Sequence, residues 1–149
     1  MIHITDGTVL SEGKEFRWDI LIKDGKIAYA GPDAAEVLSR MDAADVSVID
    51  ASGKYVSPGF IDIHTHGGAG ADFMDGSIEA YRTALRLHTS HGTTLIYPTT
   101  LTGAKDSLLD SVRSYQKIKA AGIEGAEMGG LHFEGPYFAY SKKGAQDPR

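Results

Sequence analysis

Two histidines separated by one residue, His64-Thr65-His66, close the apolar run Phe60-Ile61-Asp62-Ile63. Residues i and i+2 of a strand point to the same face, so two imidazoles at the end of such a strand converge. Neutral imidazole is a good ligand for zinc, iron or nickel, and a pair fills part of a coordination shell while leaving positions for other ligands and water. For an isolated HxH, the commoner reading is two ordinary polar residues at a strand end. Here Pro58-Gly59 precedes the run and Gly67-Gly68-Ala69-Gly70 follows it, which leaves room for a ligand to approach the backbone. A second candidate lies in Leu131-His132-Phe133-Glu134-Gly135-Pro136. Glu134 offers a hard oxygen ligand or a bridging carboxylate, and an acid buried at the mouth of a barrel is costly unless it faces a cation. Beside Gly-Pro, an isolated Glu is more often an exposed loop residue. His132 shares the face of Glu134 and reads as a donor behind the ligands or as an interior polar residue, with direct ligation the minority reading. The chain has no cysteine, so any metal must be held by His, Asp and Glu.

Other polar residues carry weaker signals. His88 and His91 lie three apart on a predicted helix, where a surface or packing role outweighs chelation, and His3 sits far along the chain from the barrel strands. The glycines of 67–70 lack the GxxxxGK[ST] pattern of a phosphate loop and read as a flexible turn. Lys142-Lys143 reads as a solvated pair.

The elements that must position these residues fall into two patterns. Residues 1–57 read as a β-rich segment: short strands at Ile2 to Ile4, Thr8 to Leu10, Trp18 to Lys23 and Lys26 to Ala30, with Asp24-Gly25 marking a tight hairpin. One helical insertion fits Pro32 to Met41, before extended structure resumes at Val46 to Ile49 and Lys54 to Val56. From residue 58 to 149, apolar runs of strand length alternate with amphipathic stretches of helix length, the signature of βα units on a parallel sheet. The expected strands are Gly59 to Thr65, Thr94 to Pro98 and Met128 to Phe133. The expected helices are Ser77 to His91, capped by Ser77 and stopped by Gly92, and Ala104 to Ala121, stopped by Gly122. The second carries Leu108, Val112, Tyr115 and Ile118 along one face. A loop runs from Glu134 to Arg149.

With 149 residues, 42% of them hydrophobic and 23% charged, the chain has the balance of a folded domain. It is well short of the 200 or more residues, roughly, of a (β/α)8 barrel. Fifteen basic residues against twenty acidic ones, with no basic run, argue against a nucleic-acid partner. The N-terminus has neither the basic start nor the apolar core of a signal peptide, and no apolar run is long enough to span a bilayer, so a cytoplasmic protein without a membrane partner is expected.

In chain order, PGFIDIHTHGGAGADFMDG, HGTTLIYPTTLT, GLHFEGPYF and KKGAQDP resemble the N-terminal portion of the N-acetylglucosamine-6-phosphate deacetylases. The first motif alone marks the wider amidohydrolase superfamily; LHFEGPYF followed by KKGAQDP is more specific. The resemblance implies an α/β fold, the start of a (β/α)8 barrel preceded by a small β-sandwich, with the barrel incomplete in this chain. It implies that Glu134 is a metal ligand and that His64 and His66 match the pair holding a second ion, with zinc or iron as the expected divalent cofactor, one or two per site. Ala145 and Gln146 fall where the family contacts its sugar substrate, an amino-sugar phosphate, and Gln146 stands where some relatives carry His. The family's catalytic Asp and later histidine ligands are expected beyond Arg149, so no catalytic residue is assigned here and the chain by itself is expected to be inactive. A homo-oligomer is expected of the complete enzyme. Two alternatives remain: another amidohydrolase such as a dihydroorotase-like cyclic amide hydrolase, and a non-catalytic module.

Overall fold

The computed structural model describes residues 1–42 and 45–146. It divides into two compact units, Met1–Pro58 and Gly59–Arg149. Asp147, Pro148 and Arg149, the end of the expected loop and of KKGAQDP, lie outside the described residues. Among the described residues no helix is long and apolar enough to cross a membrane.

The first unit contains β1 (Ile2–Thr5), β2 (Thr8–Ser11), β3 (Lys14–Phe16), β4 (Asp19–Lys23), β5 (Lys26–Gly31), α1 (Ala34–Ser39), β6 (Ser47–Asp50) and β7 (Tyr55–Val56). They form two sheets, ordered β5-β4-β1-β6 and β3-β2-β7. The expected hairpin joins β4 to β5. Asp24 and Gly25 both take positive φ, 52° and 73°, the geometry that matches the twist of a two-residue hairpin. Strand β3 was not expected, because Lys-Glu-Phe shows no alternation; it forms as the return arm of a second tight turn through Glu12-Gly13, pairing Phe16 with Val9. Helix α1 is shorter than the expected insertion and buries only Ala34. Val9, Ile20 and Leu21 are buried, and an apolar cleft of about 270 Å³ is lined by residues including Trp18, Ile22 and Val56.

In the second unit, β8 (Phe60–Thr65), β9 (Gly67–Gly68), β10 (Ala71–Asp72), α2 (Ile78–Ser90), β11 (Thr93–Thr100), α3 (Lys105–Ala120), β12 (Glu127–Met128) and β13 (His132–Phe133) follow in order. Strand β11 is central: β8 pairs with it in parallel, and so do β12 and β13. Strand, helix, strand, helix, strand on an open parallel sheet is the pattern with which a (β/α)8 barrel begins.

Local chemistry sets the helix limits. The Ser77 hydroxyl accepts from the backbone N–H of Ala80 at 3.1 Å, occupying one donor that α2 would leave unpaired. Gly92 and Gly122, with φ of 93° and 66°, follow α2 and α3 in the left-handed conformation that ends helices. Tyr81, Ala84 and Leu85 of α2 pack with Ile96 of β11, Tyr115 and Ile118 of α3, Phe73 and Met128 in one buried cluster. Removing this apolar surface from water is the main stabilising term, at about 25 cal/mol per Å². On α3 the buried positions are Leu108, Ser111, Tyr115 and Ile118, so Ser111 takes the place expected for Val112. Its hydroxyl donates to the Ser107 carbonyl at 3.0 Å, which makes burial tolerable.

Two corrections bear on the site. The expected third strand, Met128 to Phe133, is broken into β12 and β13. Ile96 pairs with Met128 but Thr99 with His132, so three steps on β11 face four on the other strand. The interruption falls at Gly129-Gly130, where the Tyr97 ring occupies the space a side chain would need: a Cβ on Gly129 would meet its Cζ at 2.6 Å. Nor is Gly67 to Gly70 a loose turn. It belongs to a two-residue hairpin, β9 with β10, turning through Ala69 and Gly70 at φ of 52° and 81°.

Candidate metal centre

Three side chains meet at the ends of two parallel strands. The Nε2 atoms of His64 and His66 lie 3.4 and 3.0 Å from Glu134 Oε2. One donor atom from each residue falls within 4.8 Å of the others. Ligands held at about 2.1 Å from one ion stand about 3.0 to 3.4 Å apart in octahedral or tetrahedral arrangements, so the spacing of each histidine from Glu134 suits a shared divalent cation. The side chains are one-quarter to one-half exposed, which leaves an approach for a further ligand.

Hydrogen bonding tests the fit. His66 Nδ1 lies 3.2 Å from the Thr99 carbonyl oxygen. A carbonyl only accepts, so Nδ1 carries a proton, which leaves Nε2 as the ring nitrogen that faces Glu134. In the tautomer with Nε2 unprotonated, that nitrogen and the Glu134 carboxylate are two donor atoms 3.0 Å apart, an arrangement a divalent cation can bridge. The donor set, two imidazoles and one carboxylate, therefore fits the ion that the sequence implies.

The strand irregularities decide which residues join. Along β8, Asp62 pairs with Ile96 and Thr65 with Pro98, so three steps there face two on β11. Strict alternation would have aligned Asp62 with the two histidines. With the bulge, its Oδ2 instead lies 4.0 Å from His88 Nδ1 of α2, and its Oδ1 accepts from the His64 backbone N–H at 3.1 Å. His88 Nε2 bonds to the Gly67 carbonyl at 3.0 Å, tying α2 to the hairpin after His66; this is a packing role, as expected. His91 bonds to the Leu87 carbonyl of its own helix, and His3 pairs with Asp19 at 2.9 Å.

His132 stays outside the three-residue cluster and packs edge-to-face on His64, ring centroids 4.8 Å apart. Ala145 is exposed. Gln146 is tied to the same strand end: its Oε1 accepts from the Thr102 backbone N–H at 3.0 Å, and the Thr102 hydroxyl donates to the Glu134 carbonyl at 3.3 Å. Lys143 bonds to the Gln146 carbonyl at 3.0 Å, which orders the loop. Sequence reasoning missed Thr99, whose signal is faint: one threonine in a Tyr-Pro-Thr-Thr run.

The profile of the amidohydrolase family matches residues 47–124, more than half of the chain. N-acetylglucosamine-6-phosphate deacetylase of Lysinibacillus sphaericus is 34% identical over 138 residues, 93% of this chain and 34% of that protein. N-acetylgalactosamine-6-phosphate deacetylase of Escherichia coli O157:H7 is 30% identical over 112 residues, 75% of this chain and 30% of that protein. Among solved structures, N-acetyl-D-glucosamine-6-phosphate deacetylase from Mycobacterium smegmatis superposes with a TM-score of 0.79 at 26% identity, over 99% of this chain and 39% of that one. The chain thus spans about a third of the length of the curated relatives it matches. The βα succession of the second unit, the paired histidines on its first strand and the family profile agree, and the chain belongs to the amidohydrolase family.

Proposed function

We propose that residues 1–57 form part of a small β-sandwich and residues 58–149 the metal-holding opening of a deacetylase barrel. The reaction is hydrolysis of the acetamide of N-acetylglucosamine 6-phosphate to glucosamine 6-phosphate and acetate. The observation that carries this reading is the convergence of His64, His66 and Glu134. These three hold the cation, zinc or iron, and Glu134 is their one anionic donor. A divalent cation held there supplies Lewis acidity toward an amide carbonyl and makes water acidic enough to ionise near neutral pH. The protein's own part is to turn Nε2 of His66 toward the ion, through the Thr99 carbonyl, and to balance the ion's charge with Glu134. Ala145 and Gln146 contact the sugar, with Gln146 held by Thr102. Among the described residues the cluster holds no second carboxylate to move a proton to the leaving amine, so turnover requires a group from outside it.

The test separates binding from turnover. Residues 1–149 should bind zinc or ferrous ion, with affinity falling at least tenfold in Glu134→Ala and less in His64→Ala. Acetate release by the 149-residue chain should stay at background with both the gluco and galacto epimers of the N-acetylated sugar phosphate. In a longer chain that carries this segment and turns over, Glu134→Ala should remove more activity than His64→Ala. Unchanged metal affinity in Glu134→Ala would sink the site, and hydrolysis of a cyclic amide in place of the sugar phosphates would favour the alternative amidohydrolase.

A further inference from the structure

Thr99 lies on the central strand β11, fully buried, between the two strand ends that carry the metal-holding side chains. Its hydroxyl has three partners. It donates to the Tyr97 carbonyl at 3.0 Å, accepts from the Thr65 backbone N–H at 3.0 Å, and lies 3.3 Å from His132 Nδ1. A hydroxyl has one hydrogen and two lone pairs. With the hydrogen on Tyr97 O and one lone pair on Thr65 N–H, the remaining lone pair faces His132 Nδ1, an arrangement that favours a proton on that nitrogen.

The consequence reaches both sides of the centre. Thr65 stands between His64 and His66, so its N–H bond pins the backbone joining them. Held through Nδ1, the His132 ring packs edge-on against His64. That contact matters because, among the described residues, the His64 imidazole is held by no hydrogen bond beyond its approach to Glu134. His132 also stands two residues before Glu134, whose backbone N–H donates to the Thr100 carbonyl at 3.1 Å.

We propose that Thr99 is the positioning residue of the His64–His66–Glu134 cluster. Its hydroxyl, by fixing the His132 tautomer and the Thr65 backbone, holds the two ligand-bearing strand ends in the spacing a divalent cation requires. The inference rests on the metal-site reading above. Groups behind metal ligands typically change affinity about ten- to hundredfold when removed. Thr99→Val keeps the volume but loses the hydroxyl, and leaves Thr65 N–H and His132 Nδ1 without it. Thr99→Ser keeps it.

The experiment titrates cobalt(II) into the 149-residue chain, against a competing chelator, for the wild type and both variants, recording affinity and the visible spectrum. Expected are an affinity loss of about ten- to hundredfold with an altered spectrum in Thr99→Val, and recovery to within about threefold in Thr99→Ser. A side chain that served folding alone would change melting temperature but not affinity or spectrum; wild-type affinity and spectrum in Thr99→Val would overturn the proposal. A second measurement is independent of any variant's folding: long-range proton–nitrogen correlation in metal-free wild type, under conditions where imidazole is neutral. The proton should sit on Nδ1 of both His66 and His132; a proton on Nε2 of His132 would overturn the proposal. Wild type that binds no cobalt(II) yet keeps these tautomers would defeat the metal reading while leaving the hydroxyl network standing.

Discussion

The two faces of the β8–β11 sheet are made of similar residues and do different work. On the covered face Ile96 is completely buried among Tyr81, Leu85, Tyr115 and Ile118, whereas Ile61, paired with Leu95 one step before Ile96, is exposed on the other face. Ile63, next to Asp62, is exposed as well. Stability is concentrated where the helices pack. The strand ends, less enclosed, carry His64, His66 and Glu134, whose side chains stay one-quarter to one-half exposed and open to a ligand. One sheet separates the two demands because adjacent residues on a strand point opposite ways.

Matched substitutions can break or sharpen this contrast. Ile96→Ala should cost about 2–5 kcal/mol in chemical denaturation, because it removes contacts that surrounding side chains cannot close over. A loss below about 1 kcal/mol would mean that the covered face is not the stabilising one.

Tyr81 offers a smaller, two-part test on the same face. Burial pushes its phenol up to about 12, with smaller contributions from Tyr115 and Asp72. Its hydroxyl has no hydrogen-bond partner among the described residues. Tyr81→Phe should therefore stabilise the fold by about 1 kcal/mol at neutral pH, by removing an unpaired buried hydroxyl. The folded-state value lies above the unfolded one of about 10, so the neutral phenol is favoured in the folded state. Its contribution is complete below about pH 10 and is lost as pH rises toward about 12. Tyr81→Phe should flatten that alkaline decline in a pH series of denaturant midpoints; an unchanged slope would assign the decline to other groups.

The smallest effect is expected on the open face. Ile63 is 67% exposed, and Ile63→Ala should alter stability by no more than about 0.5 kcal/mol. By sedimentation, the same change should lessen self-association if the exposed isoleucines draw copies together. A destabilisation approaching that of Ile96→Ala would erase the contrast between the faces.

Much of this was legible in the residues. Asp24-Gly25 named its hairpin because few side chains accept positive φ, and Ser77, Gly92 and Gly122 fixed helix ends through local hydrogen bonding and backbone freedom. The alternation of strand-length and helix-length apolar runs gave the βα order. Strand β3 was invisible because three residues without alternation become a strand only through pairing with β2. The break between β12 and β13 was equally hidden, since it depends on where the Tyr97 ring lies.

For the site, the sequence by itself determined the donor types: without cysteine, imidazole and carboxylate are the groups able to hold a metal, two imidazoles one residue apart and a carboxylate before Gly-Pro among them, and their chemistry is intrinsic to the side chains. Tertiary structure alone decided which of them meet. The extra residue in β8 turns Asp62 toward His88, the offset between β12 and β13 sets where His132 and Glu134 fall against β11, and Thr99 joins the two strand ends through hydrogen bonds spanning more than thirty residues. Register between strands is fixed by packing and pairing across the sheet, and no local spacing in one strand encodes the position of its neighbour.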